Sequence, residues 1–391
     1  MIIAHLRHGR GKHCAPPHES VHRGHAAIHA RKGSTCRTTR SARPCGPTIG
    51  DPVDWLDPEP FLRGTAWLDG KRPVRADPDD LARLPWDVAA RAELPIGVRI
   101  EFTAAPGTRA VELRYRAAVP DADDPLRDLR HCFALWSGAR FVGETCVAPA
   151  AEAVVKLPLP PGGGVFSVYL PEGQAPVPLA LRAVGGALSP APARPRWLVH
   201  GDSITEGWWS TRPARSWPAT AGRLLGLDPV NLGYAGAARG ELPLAEHLAR
   251  LPGELITLAF GTNCWSRAPA TADWLYETVR AFVGLVRTGH PETPLLIVSP
   301  VLRPEAEHTR NALGATLTEL RRAMERAGRD LAAEGDGHLS VLSGGPLLGP
   351  EHLADGLHPN DRGHARIAAA VAEALSGLPG VPVASPPASA R

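Results

Sequence analysis

Two short runs far apart in the chain hold the side chains best suited to chemistry: Gly201-Asp202-Ser203-Ile204-Thr205 and Asp355-Gly356-Leu357-His358-Pro359. Between them they supply a hydroxyl, an imidazole and a carboxylate. A serine hydroxyl is a weak nucleophile at neutral pH. It becomes effective when an imidazole accepts its proton and a carboxylate orients that imidazole. Ser203, His358 and Asp355 are therefore read as nucleophile, general base and orienting acid. Two further islands, Gly236 in Asn231-Leu232-Gly233-Tyr234-Ala235-Gly236 and Asn263 in Gly261-Thr262-Asn263, lie between them.

Elements that could bring these islands together are visible in the hydropathy pattern. Beyond residue 195 the short apolar runs Trp197–His200, Glu254–Phe260 and Pro294–Val301 do not alternate. They are interleaved with segments of helical spacing at Ser216–Leu225, Asp273–Arg287, Asn311–Ala333 and Arg362–Leu375. Continuous apolar strands between amphipathic helices predict a parallel sheet covered on both faces. In such a sheet, ligand-binding groups gather at the carboxyl ends of the strands. Ser203 follows Trp197–His200, and Asn263 follows the run ending at Phe260, so one shared rim is expected.

Upstream, residues 51–190 read as β structure. Val98-Arg99-Ile100-Glu101-Phe102-Thr103 and Val111-Glu112-Leu113-Arg114-Tyr115 alternate strictly, with shorter runs at Cys132–Trp136, Arg140–Val147, Val154–Leu157, Val165–Leu170 and Val177–Ala183. Alternation predicts one wet and one buried face, and many short strands between Pro/Gly turns predict an antiparallel sandwich of jelly-roll type. Residues 185–195 read as a stiff Pro/Gly linker. The expected domains are a disordered basic extension (1–50), the sandwich (51–190), an α/β domain (191–377) and a flexible tail (378–391).

Composition removes several classes of function. The chain has 391 residues and a formal charge of +3, but residues 1–50 hold nine Lys/Arg against one acid, leaving 34 bases and 39 acids beyond them. A weakly acidic body excludes a nucleic-acid-binding fold surface, which needs a basic face. The basic arm, with His5, His8 and His13, reads as a non-structural extension, an RNA-binding or metal-chelating arm being the alternative. No apolar stretch approaches the roughly 18 residues of a membrane span, and no signal-peptide core is seen, so a cytoplasmic protein is expected. Of the six cysteines, Cys14, Cys36 and Cys45 lie in the arm and Cys132, Cys146 and Cys264 in the body. Without a CxxC pair they read as thiols of a reducing compartment or as inert buried cysteines, a Cys132–Cys146 disulfide being the other option. No metal-ligand spacing is present in the body, and no metal or cofactor is expected.

Gly-Asp-Ser-Ile-Thr, a glycine-bearing second block, Gly-Thr-Asn and Asp-Gly-Leu-His-Pro, in this order over roughly residues 195–376, resemble the SGNH (GDSL) hydrolase family. The resemblance implies a flavodoxin-like three-layer α/β/α domain. It further implies that the Ser203 and Gly236 N–H groups and the Asn263 amide form an oxyanion hole. The family often carries Asp after the block-three Asn, where this chain has Cys264 and Trp265. Cys264 reads as a buried, inert thiol rather than a second nucleophile. Trp208, Trp209 and Trp265 are candidates for the substrate cleft, by sugar stacking or acyl contact, or are packing residues. A sandwich ahead of such a domain is similar to some carbohydrate esterases, which implies a small-molecule or glycan ester, acetyl first. The alternatives are a lysophospholipase, thioesterase or acyltransferase on longer acyl groups, or a carbohydrate-binding module with an inactive hydrolase domain.

Overall fold

Residues 54–117, 132–147 and 150–381 are described by the computed structural model. The basic arm with its three cysteines, and residues 382–391 of the expected tail, lie outside them.

Three short strands, β1 (Leu62–Arg63), β2 (Trp67–Asp69) and β3 (Arg72–Val74), precede helix α1 (Trp86–Ala92). These are too short for any periodicity to mark. The other upstream strands follow: β4 (Arg99–Ala104), β5 (Ala110–Arg116), β6 (Cys132–Ser137), β7 (Arg140–Cys146), β8 (Glu152–Pro158), β9 (Gly164–Tyr169), β10 (Val177–Val184) and the short β11 (Leu188–Pro190). All pair antiparallel, in one sheet ordered β1-β4-β9-β6-β7, with β11 also on β4, and a second ordered β10-β5-β8. Ile100, Phe102, Phe133 and Phe166 of the first sheet share one core with Leu113, Tyr115, Val155 and Leu181 of the second. Removing each such side chain from water contributes about 1.5–3 kcal/mol.

Three expectations are corrected here. The polar face of β4 is not wet: Arg99 and Glu101 are 1% and 2% exposed. They face Asp228, at the start of the parallel sheet, and Arg194 rather than water. Within the supposed linker, Leu188–Pro190 pairs with Phe102–Ala104 as a strand. Pro190 is tolerated there because a proline can sit at the end of an edge strand. Cys132 and Cys146 are register partners across the β6–β7 hairpin and form a disulfide, so two of the three body thiols are not free.

After β11 the chain builds β12 (Arg196–Gly201), α2 (Ser203–Glu206), α3 (Trp217–Leu225), β13 (Asp228–Gly233), α4 (Leu242–Arg250), β14 (Leu255–Ala259), α5 (Asn263–Ser266), α6 (Ala272–Gly289), β15 (Leu295–Val298), α7 (Leu317–Ala333), β16 (Leu339–Leu342) and α8 (Asp361–Ser376). The five strands are parallel in the order β13-β12-β14-β15-β16. This is the 2-1-3-4-5 order of the flavodoxin-like fold. One face packs against α4, α6 and α7 through Leu248, Leu275, Phe282, Leu320 and Met324, the other against α3 and α8 through Trp217, Leu225, Ile367 and Val371. The α6 core positions Leu275, Val279, Phe282, Val283 and Val286 follow one helical stripe. α7 begins at Leu317 rather than Asn311. The Asn311 side chain closes a turn by accepting from the Leu313 and Ala315 N–H groups, and the Thr316/Glu319 capping box then starts the helix. Leu378 and Val381, placed in the expected loose tail, pack against the α3/α8 side of the core. Among the described residues no helix is long and apolar enough to cross a membrane.

Candidate active site

Ser203 is the first residue of α2, immediately past the carboxyl end of β12, and is 8% exposed. The strand must turn into the helix within two residues. A side chain at Gly201 would collide with Thr205 and the Ala259 carbonyl, so only glycine fits. Asp202 is the helix N-cap; its Oδ1 accepts from Ile204 N–H at 3.0 Å. Burial raises the Asp202 carboxyl to about 6 against these backbone bonds. It is a structural residue.

Ser203 Oγ lies 2.9 Å from His358 Nε2, and His358 Nδ1 lies 2.8 Å from Asp355 Oδ2. Because a carboxylate accepts, Nδ1 carries the proton and Nε2 is left to accept from the serine hydroxyl. Asp355 Oδ1 accepts from the N–H groups of Leu357 and His358 at 3.0 and 2.7 Å, which ties the loop around the carboxylate. Gly356 supplies the left-handed residue (φ 83°) this turn requires. Burial disfavours the charged carboxylate, but the bonds from His358 outweigh it and hold Asp355 below its ordinary range.

The second and third blocks meet beside this group. Asn263 Nδ2 donates to the carbonyls of Ala235 and Ala238 at 2.8 and 3.0 Å, and so grips the turn that contains Gly236. Ala235 is held in the left-handed region at φ 48°, a conformation that persists only where its surroundings enforce it. Both amide hydrogens of Asn263 are thereby directed at backbone carbonyls. An oxyanion contact from this amide requires one of those bonds to be shared. Cys264 is buried, and burial pushes its thiol up to about 12, leaving it protonated and unreactive at neutral pH.

The three tryptophans separate. Trp208 stacks on the His358 imidazole, with ring centroids 5.2 Å apart and planes 26° apart. Trp209 takes a left-handed backbone (φ 63°). Trp265 donates from Nε1 to the Thr309 carbonyl at 2.8 Å and lies under the Arg303 guanidinium. Cys132, Glu144 and Cys146 bring three donor atoms close, but the two sulfurs are joined covalently and cannot act as thiolate ligands.

Beneath the serine turn, His200 is buried among Tyr234, Phe260 and Phe282, and its Nδ1 donates to the Leu232 carbonyl at 3.2 Å. Its Nε2 has no partner among the described residues, and burial lowers its pKa from 6.5 to about 4. A depressed folded-state pKa contributes stability that is present above pH 6.5 and is lost as pH falls through 4. Relative to the parent, His200→Phe should therefore gain about 3 kcal/mol of unfolding free energy between pH 7 and pH 4. Urea denaturation of both proteins at the two pH values measures this. A pH-independent difference would rule it out.

Sequence reasoning missed Glu206, Arg75 and Arg91. Glu206 is buried three residues after the serine, and its guanidinium partners come from the far upstream segment. Only a carboxylate inside an otherwise buried turn hints at them, and that is invisible without coordinates.

Comparison with known proteins identifies the domain that carries these residues. Residues 199–366 match the GDSL-like Lipase/Acylhydrolase family. The chain thus carries a GDSL-like lipase/acylhydrolase domain and is a hydrolase. Among solved structures it is similar to salicylyl-acyltransferase SsfX3 from a tetracycline biosynthetic pathway, at 24% identity and a TM-score of 0.74, over 84% of this chain and 99% of that one. It is also similar to a GDSL-like lipase from Bacteroides ovatus (20%, 0.69, 83% of this chain and 97% of that one). A family two carbohydrate esterase from Clostridium thermocellum shares the fold at 15% identity and a TM-score of 0.55, over 71% of this chain and 90% of that one. No curated protein matches the chain.

Proposed function

We propose that this hydrolase works by serine-based acyl transfer, with a carboxylic ester as donor. The observation that carries this is the continuous hydrogen-bonded line from Ser203 Oγ through His358 to Asp355, at 2.9 and 2.8 Å. In this reading His358 Nε2 takes the serine proton as Oγ adds to the ester carbonyl. Asp355 holds the imidazole in the required tautomer and stabilises the imidazolium that forms. The developing oxyanion faces the Ser203 N–H at the start of α2 and the Gly236 N–H, with Asn263 fixing the Gly236 turn and sharing an amide hydrogen when charge develops. One such donor is worth about 2.7–4 kcal/mol in the transition state. His358 then protonates the leaving alkoxide, and a second nucleophile releases the acyl group.

Water as that nucleophile gives an esterase, and an alcohol gives an acyltransferase. The likeness to carbohydrate esterases supports the first, with acetyl esters of glycans or small glycosides as the substrate class. The higher structural similarity to an acyltransferase, a TM-score of 0.74 against 0.55, supports the second. A fluorophosphonate probe is expected to form one adduct, at Ser203, in the parent protein and none in Ser203→Ala. With short and long p-nitrophenyl esters, loss of turnover as the acyl chain lengthens would favour acetyl esters. Product partitioning on adding an alcohol acceptor separates transfer from hydrolysis. An adduct at another serine, or none, would overturn the assignment.

A further inference from the structure

The segment upstream of the matched residues reaches the reaction centre through a line of contacts. Glu206 ends α2 and is 1% exposed. Its carboxylate accepts from Arg75 Nη2 at 2.9 Å, just past β3, and from Arg91 of α1 through Nη2 and, at 3.3 Å, Nε. Arg75 is itself buried and donates to the carbonyls of Leu94 (2.8 Å), Arg91 and Gly233, while the Tyr234 hydroxyl donates to the Arg75 carbonyl. Burial disfavours the Glu206 charge, but the two guanidiniums outweigh it and keep the carboxyl ionised. The same carboxylate accepts from Trp208 Nε1 at 2.7 Å, and the Arg91 guanidinium lies 5.8 Å from the Trp208 ring centroid. The Trp208 backbone carbonyl is held by His364 Nε2 at 3.0 Å, so the residue is tied at its main chain as well as at its indole N–H. Its face covers the His358 ring.

We propose that Arg75, Arg91, Glu206 and Trp208 form a strut that holds the His358 imidazole in its reactive orientation, making the β3–α1 segment part of the reaction centre. The proposal rests on reading His358 as the base of Ser203. Asp355 grips the imidazole at one edge only, through Nδ1, and leaves the ring free to tilt about that bond. A stacked indole blocks the tilt. The indole stays in place because its N–H ends on a buried carboxylate, and that carboxylate stays ionised because two guanidiniums face it. Misplacement of a reacting group by about 1 Å can cost a hundredfold in rate, so a loose imidazole slows proton transfer without weakening substrate binding. All four are positioning residues.

The test uses the full chain, with kcat and KM on a short aryl ester, the rate of fluorophosphonate labelling at Ser203, and the unfolding midpoint. Arg91→Met and Trp208→Ala should lower kcat and the labelling rate together, by about ten- to a hundredfold, with KM within about twofold. Trp208→Phe, which keeps the stacked ring but loses the N–H, should fall between Trp208→Ala and the parent, and Arg91→Lys should recover part of the Arg91→Met loss. Should Arg91→Met fail to fold, the two Trp208 variants decide alone, since Trp208 is only half-buried. Parental kcat in folded Arg91→Met and Trp208→Ala, or a raised KM with kcat unchanged, would overturn the strut. Failure of the underlying reading looks different: the parent labels at another serine, or His358→Ala labels as fast as the parent.

Discussion

Replacing Ser203 or His358 by Ala is expected to lower kcat on an activated ester by about five orders of magnitude, and Asp355→Asn by about four. The three act as a unit. Without the imidazole, the serine proton has no acceptor at 2.9 Å, and without the carboxylate the imidazole loses both its tautomer and the charge that balances it. The Ser203→Ala/His358→Ala double variant should therefore be no slower than either single variant. Residual turnover should persist from the backbone donors around Gly236. Steady-state kinetics on the purified variants measures all four values. A Ser203→Ala protein within tenfold of the parent would remove the serine from the mechanism.

The largest effect on stability is expected at Arg99. Its guanidinium is buried, with Nε 2.6 Å from Glu101 Oε1 and Nη2 2.6 Å from Asp228 Oδ1, bridging β4 to the first residue of β13. Burial opposes the charge, and the two carboxylates outweigh that and raise the guanidinium's pKa. Arg99→Met fills the space but leaves Asp228 with the Gly64 N–H as its hydrogen bond and the Arg196 charge nearby, and Glu101 with Arg194 and Ser167. Breaking a buried pair on one side costs about 3–5 kcal/mol, because the remaining charge is uncompensated. Urea denaturation reads this directly. Adding Asp228→Asn to Arg99→Met should recover part of the loss, whereas a change below about 1 kcal/mol would show that water already screens the pair.

What the sequence made legible divides along a physical line. Short motifs at strand ends carry their own geometry: Gly201 forces the turn that presents Ser203, and Asp355 binds the N–H groups of the two residues before and at His358. Continuous apolar strands between amphipathic helices likewise identified the parallel sheet. Hydropathy alternation reports polarity but cannot tell water from a polar partner, so the Arg99 and Glu101 face of β4 looked wet. Pairings set by distant strands were equally hidden. Leu188–Pro190 becomes a strand only because β4 offers an edge, and the Cys132–Cys146 bond depends on the register of a hairpin. The neighbours of Trp208 could not be read for the same reason, since they come from opposite ends of the described chain.

The ionic seam between the antiparallel sheets and the parallel one bears on modularity. Asp228 and Glu206 belong to the GDSL-like segment, whereas Arg99, Arg75 and Arg91 that neutralise them are contributed from upstream. Grafting this sandwich onto a foreign hydrolase, or excising the hydrolase alone, would strand carboxylates on one piece and guanidiniums on the other. Shuffling at this seam is therefore tolerable only when both sets of counter-charges travel together.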